Sequence, residues 1–405
     1  MAFFFSRDTK VFMQWSEDST TANTALYEIP VLDGFSFSQG TNTSEITLSE
    51  AANSSGYSKR GRAMFTDSFA PAEWSFSTYM RPTVSGSNAK FVLGDHADSA
   101  AHFAVEGPLW AAMSAKDYDD ACGGDAYSDT AKQEFNFANS NQVTLGTFDM
   151  YFVLGAAKDT ATALYETGTE GVTIYKLADC SVGSASIDFD IEGIAQVGWS
   201  GNGKTIEEAA SLNTEASGTT AKGLIREGVD TTSNFIRQKL TDLSLTYDAS
   251  ETTGTVGALG SSDQAYSVTL TGGNITVENN ISYLTPETIG TVNLPLGHVT
   301  GTRSVSGNFT CYLNDVSNGS LDLFEKLQES RGVITNAFQM VFSIGGSGNT
   351  PRCNVSIGKA HLELPTHDLS DVVSVDVAFH GLSTDLSSAT AADATNEVKV
   401  TYVGA

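Results

Sequence analysis

Residues 148–155, FDMYFVLG, and residues 338–345, FQMVFSIG, share the pattern F-x-M-x-F-x-[LI]-G and lie 190 residues apart. A second pair, SIDFDIEG at 186–193 and SVDVAFHG at 374–381, repeats serine, aspartate and glycine at one spacing, 188 residues apart. Between these landmarks both halves carry a short strand-like stretch, VTIYK at 172–176 and VSIGK at 355–359. Upstream, FSTYM at 76–80 answers FTCYL at 309–313, GFSF at 34–37 answers GNITV at 273–277, and VFMQW at 11–15 answers LSLTY at 243–247. Landmarks that keep one order, at offsets of about 183–190 in the later part and about 232–239 in the earlier part, mark an internal repeat whose first copy carries extra residues between the two sets, so the chain is two fused copies of one fold.

The copies span about residues 1–203 and 238–405 and are joined by a polar linker or interaction arm at 204–237. The first copy carries an insertion at about 84–147. Alternating apolar and polar runs, punctuated by Gly, Ser, Thr, Asn and Asp, predict an all-β fold. Each copy is expected to be a β-sandwich or barrel with one flanking helix. LDLFEKLQE at 321–329 has helical periodicity with Ser320 as a cap, and LWAAM at 109–113 is its counterpart inside the insertion. No apolar run is long enough for a membrane-spanning helix. The start, MAFFFSRDTK, lacks the basic flank of a secretory signal, which leaves cytoplasmic synthesis as the expectation.

Within SIDFDIEG, Ile187, Phe189 and Ile191 alternate with Asp188, Asp190 and Glu192, giving one apolar and one acidic face. The second copy keeps Asp376 on the corresponding face. The whole chain carries 48 acidic against 22 basic residues, a net charge of −26, which opposes adhesive contact with nucleic-acid phosphates. One basic cluster, Lys59, Arg60 and Arg62, stands out, with Arg303 near its counterpart in the second copy. A solvated loop or a hairpin docking on an acidic neighbouring subunit accounts for it.

Catalytic chemistry finds little support. The six histidines are dispersed, and the four cysteines have no paired spacing, so neither a metal site nor a disulfide framework is expected. The acidic run at 117–129 departs from a calcium-loop register, with Ser128 where the bidentate glutamate belongs. GWSGNGKT at 198–205 matches the phosphate-loop pattern letter for letter. That loop needs a parallel strand before it and a helix after it, whereas here the neighbours alternate as antiparallel strands do. The stretch is better explained as a last strand running into the linker, with VTYVG at 400–404 as its counterpart.

Several stretches together resemble the major tail tube proteins of long-tailed bacteriophages, siphovirus-like and of marine or cyanophage type, in a tandem-duplicated form. They are LDGFSFS at 32–38, APAEWSFSTYMRP at 70–82, IDFDIEGIA at 187–195, LTPETIG at 284–290 and GTRSVSGNFT at 301–310. The resemblance implies two tail-tube-type domains whose strands join those of neighbours into an inner barrel. Single-domain members form hexameric rings, so a duplicated chain implies homotrimeric rings with pseudo-sixfold symmetry, stacked into a tube. It implies a structural virion protein rather than an enzyme, with no cofactor. Implied partners are other copies of the chain, a tape-measure protein, tail-terminator and distal tail proteins, and viral DNA passing without specific binding. Asp188, Asp190, Glu192 and Asp376 become lumen-facing candidates; Lys59, Arg60, Arg62 and Arg303 become inter-subunit contact candidates. A ring-forming tail-terminator or secretion-tube protein is the alternative, and a tandem Ig-like adhesin a more distant one.

Overall fold

Alternation of buried with more exposed positions marks many of the strands, as QVGWSGNG at Gln196–Gly203 illustrates: Val197, Trp199, Gly201 and Gly203 are buried, while Gln196 and Ser200 are exposed. The structure, a computed structural model, describes residues 4–16, 24–47, 54–55, 62–84, 91–92, 102–122, 131–137, 145–155, 164–168, 171–213, 215–216, 219–222, 224–225, 235–249, 263–286, 288–290, 292–329, 338–349, 351–368, 372–384 and 396–404. It is predominantly β, as the alternation predicts.

In the first half, β1 (Thr9–Ser16), β2 (Ser36–Thr47), β3 (Arg62–Tyr79), helix α1 (Gly107–Ser114), β4 (Gln133–Asn136), β5 (Phe148–Leu154), β6 (Thr173–Asp190), β7 (Gln196–Gly203) and β8 (Thr205–Ala209) follow in order. The second half supplies β9 (Asp242–Tyr247), β10 (Leu270–Glu278), β11 (Ser304–Tyr312), α2 (Ser320–Glu329), β12 (Phe338–Ile344), β13 (Arg352–Leu362), β14 (Thr366–Asp368), β15 (Ser374–Gly381) and β16 (Lys399–Val403). Both helices fall where periodicity placed them.

Strand pairing is the same in the two halves. β5 lies between β1 and β6, as β12 lies between β9 and β13. β7 lies between β3 and β6, as β15 lies between β11 and β13. β3 pairs β2 as β11 pairs β10, and β6 pairs β8 as β13 pairs β16. Even an irregularity recurs. Met150 faces Leu177 and Phe148 faces Cys180, just as Met340 faces Ile357 and Phe338 faces Ala360, so each long strand carries a bulge opposite the F-x-M motif.

These pairings correct two sequence-level correspondences. SVDVAFHG sits against β11 in the register that QVGWSGNG holds against β3: Ser374 faces Tyr312 as Gln196 faces Tyr79, and Val377 faces Phe309 as Trp199 faces Phe76. Its structural counterpart is therefore β7, whereas SIDFDIEG belongs mostly to the far end of β6, whose counterpart is β13 together with β14. Likewise β16 corresponds to β8 rather than to residues 197–201. Alternation alone fixes which face a residue takes, not which strand lies beside it.

The core lies between two layers in each half. Phe37 of β2 meets Phe152 of β5 at 4.6 Å between ring centroids, and Trp74 meets Phe148 at 6.1 Å. In the second half Phe342 of β12 meets Phe379 of β15 at 5.5 Å. Full burial of such side chains contributes about 1.5–3 kcal/mol each. Helix α1 is apolar on all sides and buried throughout, which is the mark of an internal helix. Its Trp110 packs edge-on against Trp199 at 4.8 Å and donates its indole N–H to the Tyr402 hydroxyl at 2.9 Å. The insertion thus reaches the second half, and β4 pairs with β16 beside it. By contrast α2 buries Leu323 and Leu327 and leaves Phe324 part-covered, as its predicted stripe requires. Among the described residues no helix is long and apolar enough to cross a membrane.

Candidate functional site: a polar sheet shared by the two halves

β6 is 18 residues long and serves two neighbours in succession. Along one edge residues 173–180 pair with β5 and residues 184–190 with β10 of the second half, the last four reaching past the end of the ladder with β7. The result is one antiparallel sheet in the order β2–β3–β7–β6–β10–β11–β15–β14. Residues directly opposite one another in such a ladder share a face.

Rows of opposed residues therefore define that face. Asp188, Asn274, Asn308 and Ala378 form one row; Asp190, Gly272, Thr310, Asp376 and Thr366 form the next. In the first half, Ser184, Ser200, Ser75 and Ser36 form another. The opposite face holds Trp74, Phe76, Trp199, Ile187, Phe189, Ile275, Phe309 and Val377, all buried. Phe189 reaches 5.5 Å from Phe342, so the first half's strand fills part of the second half's core.

Side chains on the polar face are short and bonded to one another. The Ser36 and Ser75 hydroxyls are 2.8 Å apart. Asp376 Oδ1 accepts from Asn308 Nδ2 at 2.9 Å and from Thr310 Oγ1 at 3.1 Å. A groove of about 430 Å³ runs beside Asp188, Asp190, Gln238, Asn308 and Thr310, and Gln238 Nε2 donates to the Asp188 carbonyl at 2.8 Å. Across residues 36–39, 72–79, 181–190, 196–203, 270–278, 304–312, 366–368 and 374–381 there is no lysine or arginine. Six carboxylates stand on the face: Glu73, Asp188, Asp190, Glu278, Asp368 and Asp376. Two charges about 7 Å apart along a strand repel by about 0.6 kcal/mol in water and several-fold more in a drier setting, so the arrangement suits a wet surface.

Of the acidic candidates, Asp188 and Asp190 are exposed on this face, and Asp376 is part-buried on the same face, in the row of Asp190 and three strands across from it. Glu192 is exposed but lies past the strand end, in a bend turned by Gly193 at φ +114°. That bend also turns Ile191 outward, to 51% exposure, against the expectation that it points into the core. Among the basic candidates, Lys59 and Arg60 lie outside the described residues, and Arg62 opens β3 opposite Thr47.

Arg303 is a correction. Instead of facing outward it is 4% exposed inside the junction of the halves. Its Nε donates to Asn279 Oδ1 and its Nη1 to the Phe137 carbonyl, both at 3.1 Å, with Glu397 Oε2 at 3.6 Å. Its guanidinium lies 4.8 Å above the Phe137 ring, and burial lowers its pKa to about 10. Asn279 in turn donates to the Met113 carbonyl at 2.9 Å, tying the junction to α1. Sequence reasoning missed this cluster; an apolar α1 with no polar side was the available signal that something covers it.

The phosphate-loop match is spent on the sheet. Residues 198–203 are extended within β7, hydrogen-bonded to strands on both sides, and Lys204 Nζ lies 3.7 Å from Asp179. In the acidic run, buried Asp117 caps the short helical turn Tyr118–Ala121 by accepting the Asp120 N–H at 2.8 Å, and residues 123–129 lie outside the described part. Among the described residues no cluster of three or more His, Cys, Asp or Glu is arranged for a metal.

A sheet module repeated in both halves, apolar on one side and wet and acidic on the other, suits a structural assembly subunit. The chain is 29% identical over 389 residues to the tail tube protein pb6 of Escherichia phage T5, covering 94% of this chain and 73% of that protein. No family model matches. This similarity bears out the tail-tube resemblance: the chain is a siphophage-type structural tail tube protein, a component of the virion tail.

Proposed function

We propose that three chains close into a ring of six like domains, and that stacked rings form the conduit through which the genome leaves the virion. The observation that supports this most is the continuous sheet, whose polar face carries no lysine or arginine over the stretches given above. Turned inward, that face would give phosphates no cationic partner and no counterion-releasing contact, so DNA would slide past it. A tape-measure protein would occupy the lumen before ejection, and terminator and distal proteins would cap the stack. In this scheme residues 1–203 and 238–405 are the two domains, and 204–237 is an arm whose first strands return to the first domain, β8 beside β6. The protein acts as a wall and carries out no catalysis.

Electron microscopy of the purified protein tests this: rings or tubes about 10 nm across are expected from six small domains around a DNA-wide hole. Strictly monomeric particles at all concentrations would overturn it. Asp188→Lys combined with Asp190→Lys should leave rings intact while impairing genome passage. Failure to assemble would instead assign those carboxylates to the fold.

A further inference from the structure

The junction inside the chain carries information about the junction between chains. β10 is sandwiched between β11 and the outer end of β6, with Asp188 opposite Asn274, Ile187 opposite Ile275 and Ser186 opposite Thr276. Its counterpart β2 is paired with β3 alone among the described residues, and its Ser36 and Ser38 are exposed. The outer end of β6 likewise has a counterpart, β14. Ser186 faces Gly198 of β7, and Thr366 faces Asp376 of β15, which is the same position of the same strand. β14 pairs with β15 on one side, and its three residues are exposed. The sheet therefore ends in one open edge of each kind that the internal junction joins.

Resting on the ring proposed above, we infer that β14 of one chain pairs antiparallel with β2 of the next, in the register that β6 uses with β10. Transferring that register places Thr366 opposite Ser38, His367 opposite Phe37 and Asp368 opposite Ser36 of the neighbouring chain. The chemistry agrees at each rung. Thr366, Asp368, Ser36 and Ser38 continue the polar face, while His367 falls where Ile187 packs on Ile275 and meets a half-covered phenylalanine. The interface is head-to-tail, so it closes into a ring only through the rotation already present within the chain. Pro365, just before β14, removes one ladder donor and keeps the open edge short, a common guard against unwanted strand addition.

Cysteine pairs test the register in a Cys122→Ser background, since the other three cysteines are buried. Thr366→Cys with Ser38→Cys, and separately His367→Cys with Phe37→Cys, cover both kinds of rung in an antiparallel ladder, which differ in side-chain separation. Ser186→Cys with Thr276→Cys is the control within the chain. After oxidation of assembled protein, a shift to a covalently closed trimer on non-reducing gels is expected from at least one inter-chain pair. The control should close without changing chain number. Rings visible by microscopy with a closed control and no inter-chain link from either pair would overturn the register. Links that continue past the trimer would keep the edge pairing and overturn the three-chain ring. Absence of any assembled particle would overturn the function proposed above, and the edge pairing with it.

Discussion

The junction built into the chain and the two edges left open differ sharply, although one pairing scheme generates both. At the internal junction seven residue pairs of β6 and β10 are backed by Trp110, Tyr402 and the Arg303–Glu397–Asn279 cluster, all brought together by the insertion of the first half. At the open end, β14 offers three exposed residues after a proline. Fusing two copies lets one interface be buried permanently, with aromatic and ionic groups that would be hazardous on a soluble surface. The other interface must stay polar until a partner arrives. The four tryptophans follow the same division: all lie in the first half.

That contrast breaks most visibly at Arg303. Arg303→Ala leaves the Glu397 carboxylate without its cation in a largely buried setting, and removal of one partner from such a pair costs about 3–5 kcal/mol. Urea unfolding should show that loss, whereas Thr366→Ala at the open edge should leave the unfolding midpoint of the free chain nearly unchanged.

A somewhat smaller effect is expected at Glu106, which abuts α1 and accepts the Arg81 backbone N–H at 3.2 Å. Burial drives its carboxyl up to about 7 from 4.5. The folded chain holds this proton up to about pH 7 and the unfolded chain only to about 4.5. The associated stability is therefore complete below pH 4.5 and is lost as pH rises toward and through 7, by on the order of 3 kcal/mol. Glu106→Gln should flatten this part of the pH profile in thermal melts. An unchanged slope would show that the carboxyl is not the group responsible.

Smallest should be the effect of Asp188→Asn with Asp190→Asn, exposed side chains whose replacement shifts stability by no more than about 0.5 kcal/mol. A chemical denaturation midpoint within that margin, together with normal rings, would mark these carboxylates as surface charge rather than framework.

Much of the fold was legible in the residues, and the reasons are specific. The three shared positions, Phe148, Met150 and Phe152 in FDMYFVLG and Phe338, Met340 and Phe342 in FQMVFSIG, are buried in the main core, so the repeat survives where packing constrains it. The acidic face was legible because period-two alternation is a local property. Strand adjacency was not, since SIDFDIEG and SVDVAFHG carry the same local pattern on strands with different neighbours. Arg303 was misplaced for a related reason: a basic residue near turns resembles a surface charge until Phe137 and Glu397, distant in sequence, close over it. The polar sheet's extent also depended on the unusual length of β6, which a run of small residues at 181–186 does not announce.

The central claim is that one chain supplies two of six equivalent segments of a single closed sheet whose acidic face lines the hole. A density map of the assembled tube tests it most directly. Three chains per ring are predicted, with Asp188, Asp190 and Asp376 facing inward and β14 running beside a neighbour's β2. Six chains per ring, or that face turned outward, would contradict it.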